Sequence, residues 1–291
     1  MNKTIYMTYK SNIPEIVFHR WQKLNKDYKI ELSLDNECVS FLKTHYNDYI
    51  ANLFFEINIG MYKADLWRLC KLYKNGGVYA DVDLVPYLNI DNLDKNISFY
   101  STIALDNKSI FQAFIVNTTK PNNPLFLLFL ISFLLNNPHK YGNGPCYDMY
   151  NCIKYNLGVE KIEPEKIYYL DKIRIPVMIG PSQTNYKEIN LHYFPKDIQY
   201  KIILHKNIYK DKFAFDIKNN ILQIKRLDEN IGWGHYHVVD ICIESNEKLY
   251  FFKEIGNGNN INDAYISDKN KKLLDCRDKN YVRGKGWVNI N

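Results

Sequence analysis

The chain has 291 residues, of which 46% are hydrophobic and 24% charged, and its net charge is +6. That length supports a full hydrophobic core, in one large domain or one and a half, and the composition is that of an ordinary globular protein. Lysines and arginines are scattered rather than striped, so a nucleic-acid footprint is not indicated, and Cys38, Cys70, Cys146, Cys152, Cys242 and Cys276 form neither a CxxC pair nor a zinc spacing. Reduced structural thiols are the expectation.

The N-terminal stretch MNKTIYMTYK has no apolar signal core. Thr4–Tyr9 reads as a first strand, followed by a turn through Ser11, Asn12 and Pro14. Ile16, Val17, Trp21 and Leu24 recur at helical spacing over Glu15–Leu24, and Lys29–Leu34 alternates as a half-buried strand does. Asn36–Tyr46 reads as another helix. A strand-helix-strand-helix start predicts an α/β fold with a parallel sheet. Gly60–Lys74 is a further helix with Ala64, Leu66, Trp67, Leu69, Cys70 and Leu72 on its apolar side. Asn75, Gly76 and Gly77 end it, since glycine enters the left-handed region without penalty. Val78–Ala80 is a short strand leading to Asp81-Val82-Asp83.

Further elements are expected at Ser98–Ala104, at Phe111–Val116 and near Tyr147–Tyr155. Leu125–Leu135, LFLLFLISFLL, is the most apolar run, but it is shorter than the roughly 20 residues of a membrane-spanning helix. It reads as a buried core helix with Pro124 in its first turn. With no signal core and no anchor, a cytoplasmic protein is expected. Beyond about Tyr209 the runs FAFDI, ILQIKRL, HVVDICI and KLYFF alternate between Asn, Gly and Glu. They predict a small β-rich module over 211–291, set apart from a catalytic domain over 1–210.

The chemistry concentrates in Lys63–Tyr87. Asp81 and Asp83, two apart in extended geometry, leave the backbone on one face. Paired carboxylates at a strand end suit a hard divalent cation, with phosphate oxygens and water completing its shell. An Asp-x-Asp is common in surface turns; here it comes after a helix, a double glycine and an apolar strand, where open α/β sheets bind ligands. Asp65 and Arg68 lie at i and i+3 on one side of the helix. They read either as a local ion pair or as a clamp on sugar hydroxyls and a diphosphate, for which the planar guanidinium is suited.

The run A-D-L-W-R-L-C-K-L-Y-K-N-G-G-V-Y-A-D-V-D resembles the sugar-binding DXD region of GT-A-fold glycosyltransferases. It looks most like family 32, the yeast α-mannosyltransferases and related bacterial capsule enzymes, and the catalytic domains of clostridial glucosylating toxins share its layout. The match runs from Gly60 to Asp83 and is readable back to Ile5, where I-Y-M-T-Y stands in place of I-H-Q-x-W. The resemblance implies a GT-A-like, Rossmann-like mixed sheet flanked by helices. It implies transfer of a sugar, with retention, from a UDP- or GDP-sugar to a glycan, lipid-linked or protein acceptor, with Mn²⁺ or Mg²⁺. Asp83 would hold the metal directly, and Asp81 would act through ribose, sugar or metal-bound water. Asp65 and Arg68 would hold the donor sugar, Gly76 and Gly77 would permit the turn, and Tyr9 would stack on the base. His205 would close the metal site, with His235 and His237 as competitors. Asn143-Gly144-Pro145 resembles the short loop these enzymes carry near the acceptor.

Hydrolysis by two opposed carboxylates is disfavoured, because neighbours at spacing two do not flank a bond from opposite sides. The alternative from another class is a carbohydrate-binding protein with a catalytically silent core, using Trp233, Tyr236 and Trp287. A nucleotidyl- or phosphotransferase would want a phosphate-cradling glycine loop or further acidic ligands, and neither is present.

Overall fold

The computed structural model describes residues 1–119, 121–135, 144–179, 188–204, 213–227, 237–256, 264–269 and 271–288. The first part of the chain gives β1 (Thr4–Thr8), α1 (Glu15–Leu24), β2 (Lys29–Ser33), α2 (Asp35–His45), α3 (Asp48–Glu56), α4 (Gly60–Asn75), β3 (Gly77–Ala80) and β4 (Val85–Pro86). Then come β5 (Phe99–Ile103), β6 (Ile110–Asn117), α5 (Pro124–Leu135), α6 (Gly144–Leu157), β7 (Ile167–Ile179), β8 (Glu188–His192) and β9 (Lys201–Leu204). The remainder supplies β10 (Phe213–Lys218), β11 (Ile221–Arg226), β12 (His237–Ile255), β13 (Tyr265–Asp268), β14 (Lys271–Asp275), β15 (Tyr281–Val282) and β16 (Gly286–Trp287).

Among the described residues one large mixed sheet runs β2-β1-β3-β6-β5-β12-β13-β14-β4, with β7 and β9 also paired to β12. Its first strands are parallel, Thr4 facing Lys29 and Ile5 facing Val78, as the opening strand-helix-strand pattern predicts. Strand alternation then sorts the side chains between two apolar layers. Ile5, Met7, Val78 and Ala80 pack with Val17 and Trp21 of α1. Tyr6 and Tyr79 point to the other layer, filled by Leu42, Phe54, Leu66, Trp67 and Leu72 of α2, α3 and α4. The mixed sheet flanked by helices is the architecture expected from the sequence.

The apolar run at 125–135 is a core helix. Leu125, Phe126, Leu127, Leu128 and Leu130 are fully buried against α4 and the sheet. No helix among the described residues is long and apolar enough to cross a membrane. The six cysteines carry no disulfide; Cys38, Cys70, Cys242 and Cys276 are buried.

Two expectations change. Helix α3 was not foreseen: Asn47 caps it, its side chain accepting the Ile50 N–H at 3.0 Å, and Ile50, Leu53 and Phe54 face the core. The boundary near residue 210 does not separate two sheets. The runs HVVDICI and KLYFF are two ends of one strand, β12, which carries an irregularity at Glu244/Glu247. Leu249–Lys253 pairs in parallel with Phe99–Ile103, and β14 pairs with β4 beside the DXD turn. Among the described residues β10 and β11, with β8, form a sheet of their own, and so do β15 and β16. Alternation identifies strands but not partners far away in sequence, so the pairing of β12 with β5 left no local mark.

Candidate donor site at the DXD turn

Helix α4 stops because Gly76 takes φ +63° and Gly77 φ +92°, and both approach backbone closely. A Cβ at Gly76 would sit 2.9 Å from the Thr119 carbonyl, and one at Gly77 2.9 Å from that of Thr4. The chain thus turns directly into β3, and α4 lies across the strand that carries the acidic pair. Gly76 and Gly77 shape this turn and do not line the cleft.

Alternation along β3 places Tyr79 under α4. The Arg68 guanidinium lies over its ring, 4.3 Å from the centroid. Arg68 is 4% exposed, with four acceptors around its guanidinium. Its Nε donates to the Ala64 carbonyl at 3.1 Å and its Nη1 to the Gln112 carbonyl. Nη2 lies 3.3 Å from Asp65 Oδ1 and 3.5 Å from Asp81 Oδ1. The Tyr79 hydroxyl donates to Asp81 Oδ1 at 2.6 Å. The Asp65/Arg68 pair is therefore no surface ion pair; it is buried beneath the acidic turn.

Asp81 and Asp83 are brought together by a turn rather than by extended backbone. The Leu84 N–H donates to the Asp81 carbonyl at 3.2 Å, and Val82 is buried in the α1 layer. Both carboxylates still line the same cleft, of about 480 Å³, together with Thr8, Tyr9, Lys10, Asp35, Lys63, Arg68 and Tyr79. Burial, and then the charge of Asp81, pushes the Asp83 carboxyl up to about 7. Burial raises Asp65 to about 6, against the opposing pull of Arg68. For Arg68, burial disfavours the charge, but Tyr79, Asp81 and Asp65 together hold its pKa above the ordinary value.

Among the described residues no cluster of three or more His, Cys, Asp and Glu side chains could cage a metal. The carboxylates at the turn that face the cleft are Asp81 and Asp83. That fits a hard divalent cation whose other positions are filled by phosphate oxygens and water. His205 and His235 lie outside the described residues, as do Trp233, Tyr236 and Asn143. The backbone of His237 begins β12. Gly144 opens α6, and a Cβ there would sit 3.5 Å from the Tyr62 hydroxyl oxygen on α4.

Tyr9 lines the cleft, edge-on to Tyr281 with ring centroids 6.4 Å apart, and Tyr281 is in turn edge-on to Trp287 at 5.3 Å. Tyr281, Gly284 and Gly286 also line the cleft and were missed from sequence. Their one local signal is the Arg-Gly-Lys-Gly-Trp rhythm at 283–287, which marks a turn. Lys10 and Lys63 add positive charge at the opening; Lys63 pairs with Asp35 at 3.2 Å.

Residues 15–100 match the family model of the glycosyltransferase sugar-binding region containing the DXD motif. An initiation-specific alpha-1,6-mannosyltransferase of Candida albicans is 29% identical over a segment covering 32% of this chain and 27% of that protein. An uncharacterized glycosyltransferase of Acanthamoeba polyphaga mimivirus is 30% identical over 40% of this chain and 46% of that one. The chain thus spans under half the length of each of these curated relatives. Among solved structures, the PaToxG glycosyltransferase overlaps with a TM-score of 0.39 at 18% identity, covering 53% of this chain and 67% of that one. The ligand-free glycosyltransferase domain of the YGT toxin overlaps with a TM-score of 0.30 at 12% identity, covering 55% and 69%. The segment that matches the glycosyltransferase sugar-binding region holds α1 to β4 and hence Asp65, Arg68, Asp81 and Asp83.

Proposed function

We propose that the chain is a metal-dependent glycosyltransferase that moves a sugar from a UDP- or GDP-sugar to a hydroxyl of a glycan, lipid-linked or protein acceptor, with retention at the anomeric carbon. The observation that carries this reading is the single cleft joining Tyr9, Arg68, Asp81 and Asp83, with Asp65 buried behind Arg68. A GT-A description of the mixed sheet belongs to the same reading.

Asp83, with Asp81 beside it, would hold Mn²⁺ or Mg²⁺. When bound, the cation neutralises charge on the departing diphosphate without proton transfer. Arg68 contributes fixed positive charge at the floor of the cleft, already oriented by Asp65, Asp81 and two backbone carbonyls. Such preorganised charge stabilises a leaving group without reorganisation during the reaction. Asp81 offers an acceptor for sugar hydroxyls, while Asp65, buried behind Arg68, acts on the sugar through the guanidinium it orients. The tyrosine ring of Tyr9 offers a flat face for a base, in the role the resemblance implies.

A panel of UDP- and GDP-sugars, incubated with Mn²⁺ and without it and scored for release of nucleoside diphosphate, tests the reading. Release that depends on the cation and on one donor is expected. No release from any donor, with metal present, contradicts it.

A further inference from the structure

The DXD turn is tied to a segment almost two hundred residues away in sequence through one buried aspartate, Asp278. Every polar group of Asp278 is engaged. Its N–H donates to the Asp83 carbonyl at 2.7 Å, and its own carbonyl accepts the Tyr281 N–H at 3.0 Å. Its Oδ1 accepts the Asn280 N–H at 2.8 Å, closing the turn, and its Oδ2 is ion-paired with Arg20 of α1. The Asp278 side chain is only 3% exposed and that of Arg20 32%, so an enclosed carboxylate meets a half-buried guanidinium. Three parts of the chain meet there: α1, the DXD turn and the strand exit after β14.

Beyond Asp278 the chain forms a wall of the cleft. Tyr281, Gly284 and Gly286 line it, and the Lys285 N–H donates to the Val282 carbonyl at 3.0 Å to close the small β15–β16 hairpin. Gly286 lies so close to Tyr9 that a Cβ there would be 2.8 Å from the Tyr9 hydroxyl oxygen. The hairpin position and the Asp83 backbone are therefore set by the same residue.

Resting on the proposed donor site, we infer that Asp278, held by Arg20, is a positioning residue: it fixes the Asp83 backbone and seats the 281–287 hairpin as one wall of the nucleoside diphosphate site. Neither residue touches the cleft. Their effect passes through the Asp83 carbonyl and the Tyr281 N–H.

The test uses the full chain as wild type, Arg20→Gln, Asp278→Asn and the conservative Arg20→Lys. Two quantities are read: tryptic cleavage at Lys279, Arg283 or Lys285, and calorimetric binding of UDP and of GDP with Mn²⁺. Both neutral variants should be cleaved faster and should bind the diphosphate about tenfold more weakly, the lower end of what losing an orienting partner costs at a metal site. Arg20→Lys should recover both. Faster cleavage with unchanged affinity would overturn the inference, because the hairpin would then lie outside the site. Unchanged cleavage would overturn it too, as would loss of near-UV circular dichroism in both neutral variants, which would make the pair a requirement of the whole fold. A wild-type chain that binds neither diphosphate contradicts the donor site instead, while the cleavage comparison still reports on the Arg20–Asp278 pair.

Discussion

Arg68 and Asp81 face each other at 3.5 Å across the junction of α4 and β3, and that contact joins the helix to the acidic turn. The Tyr79 hydroxyl reaches the same Asp81 oxygen from below. Arg68→Ala would leave the buried Asp65, and the half-buried Asp81, without their cation. Removing one partner of a buried pair costs about 3–5 kcal/mol, so chemical denaturation should show a loss of that order. Arg68→Lys keeps the charge but not the planar fork that serves Ala64, Gln112, Asp65 and Asp81 together. It should fold with a smaller loss and still release little nucleotide from donor.

The two raised carboxyls give a pH signature. Asp83 near 7 and Asp65 near 6 hold protons in the folded chain that the unfolded chain releases at about 4. Their contribution to stability is therefore fully present below about pH 4 and lost as pH rises through about 6 to 7. In scanning fluorimetry without metal, the Tm of the wild type should fall over that window more than the Tm of Asp83→Asn. Mn²⁺ should raise the wild-type Tm above pH 7 and have little effect near pH 5, where Asp83 is protonated.

The double glycine makes a sharper backbone prediction. At Gly77 both the positive φ and the Thr4 carbonyl 2.9 Å from a Cβ oppose any side chain. Gly77→Ala should cost at least about 1–3 kcal/mol, the range for strained backbone held in place. Gly60, at the start of α4, has open space around it and no positive φ. Gly60→Ala should be neutral or stabilise by up to about 1 kcal/mol, by restricting the unfolded chain. Denaturant midpoints of the two variants make the comparison.

The sequence spelled out α1, α4 and β3, and with them Asp65, Arg68, Asp81 and Asp83, because each rests on local periodicity and on glycine chemistry. It also placed the apolar 125–135 run in the core. The rest was hidden by distance along the chain. The role of Leu249–Lys253 as a central strand depends on pairing with Phe99–Ile103, and neither segment carries a mark of the other. Tyr281 and Gly286 reach the cleft from a segment that meets the DXD turn where Asp278 bonds to Asp83, far away in sequence. The shared facing of Asp81 and Asp83 was anticipated, yet it arises from a hydrogen-bonded turn, which a two-residue spacing does not distinguish from a strand.

The most direct measurement is nucleoside diphosphate release from the preferred nucleotide sugar by wild type and by Asp83→Asn, each with Mn²⁺ and with a chelator. A cation held by Asp83 requires release by the wild type with Mn²⁺ alone. It also requires that Asp83→Asn lose more than the about 10–100-fold that removing an outer partner of a metal ligand costs. Equal release with the chelator present, or full activity in Asp83→Asn, would contradict a metal-dependent donor site.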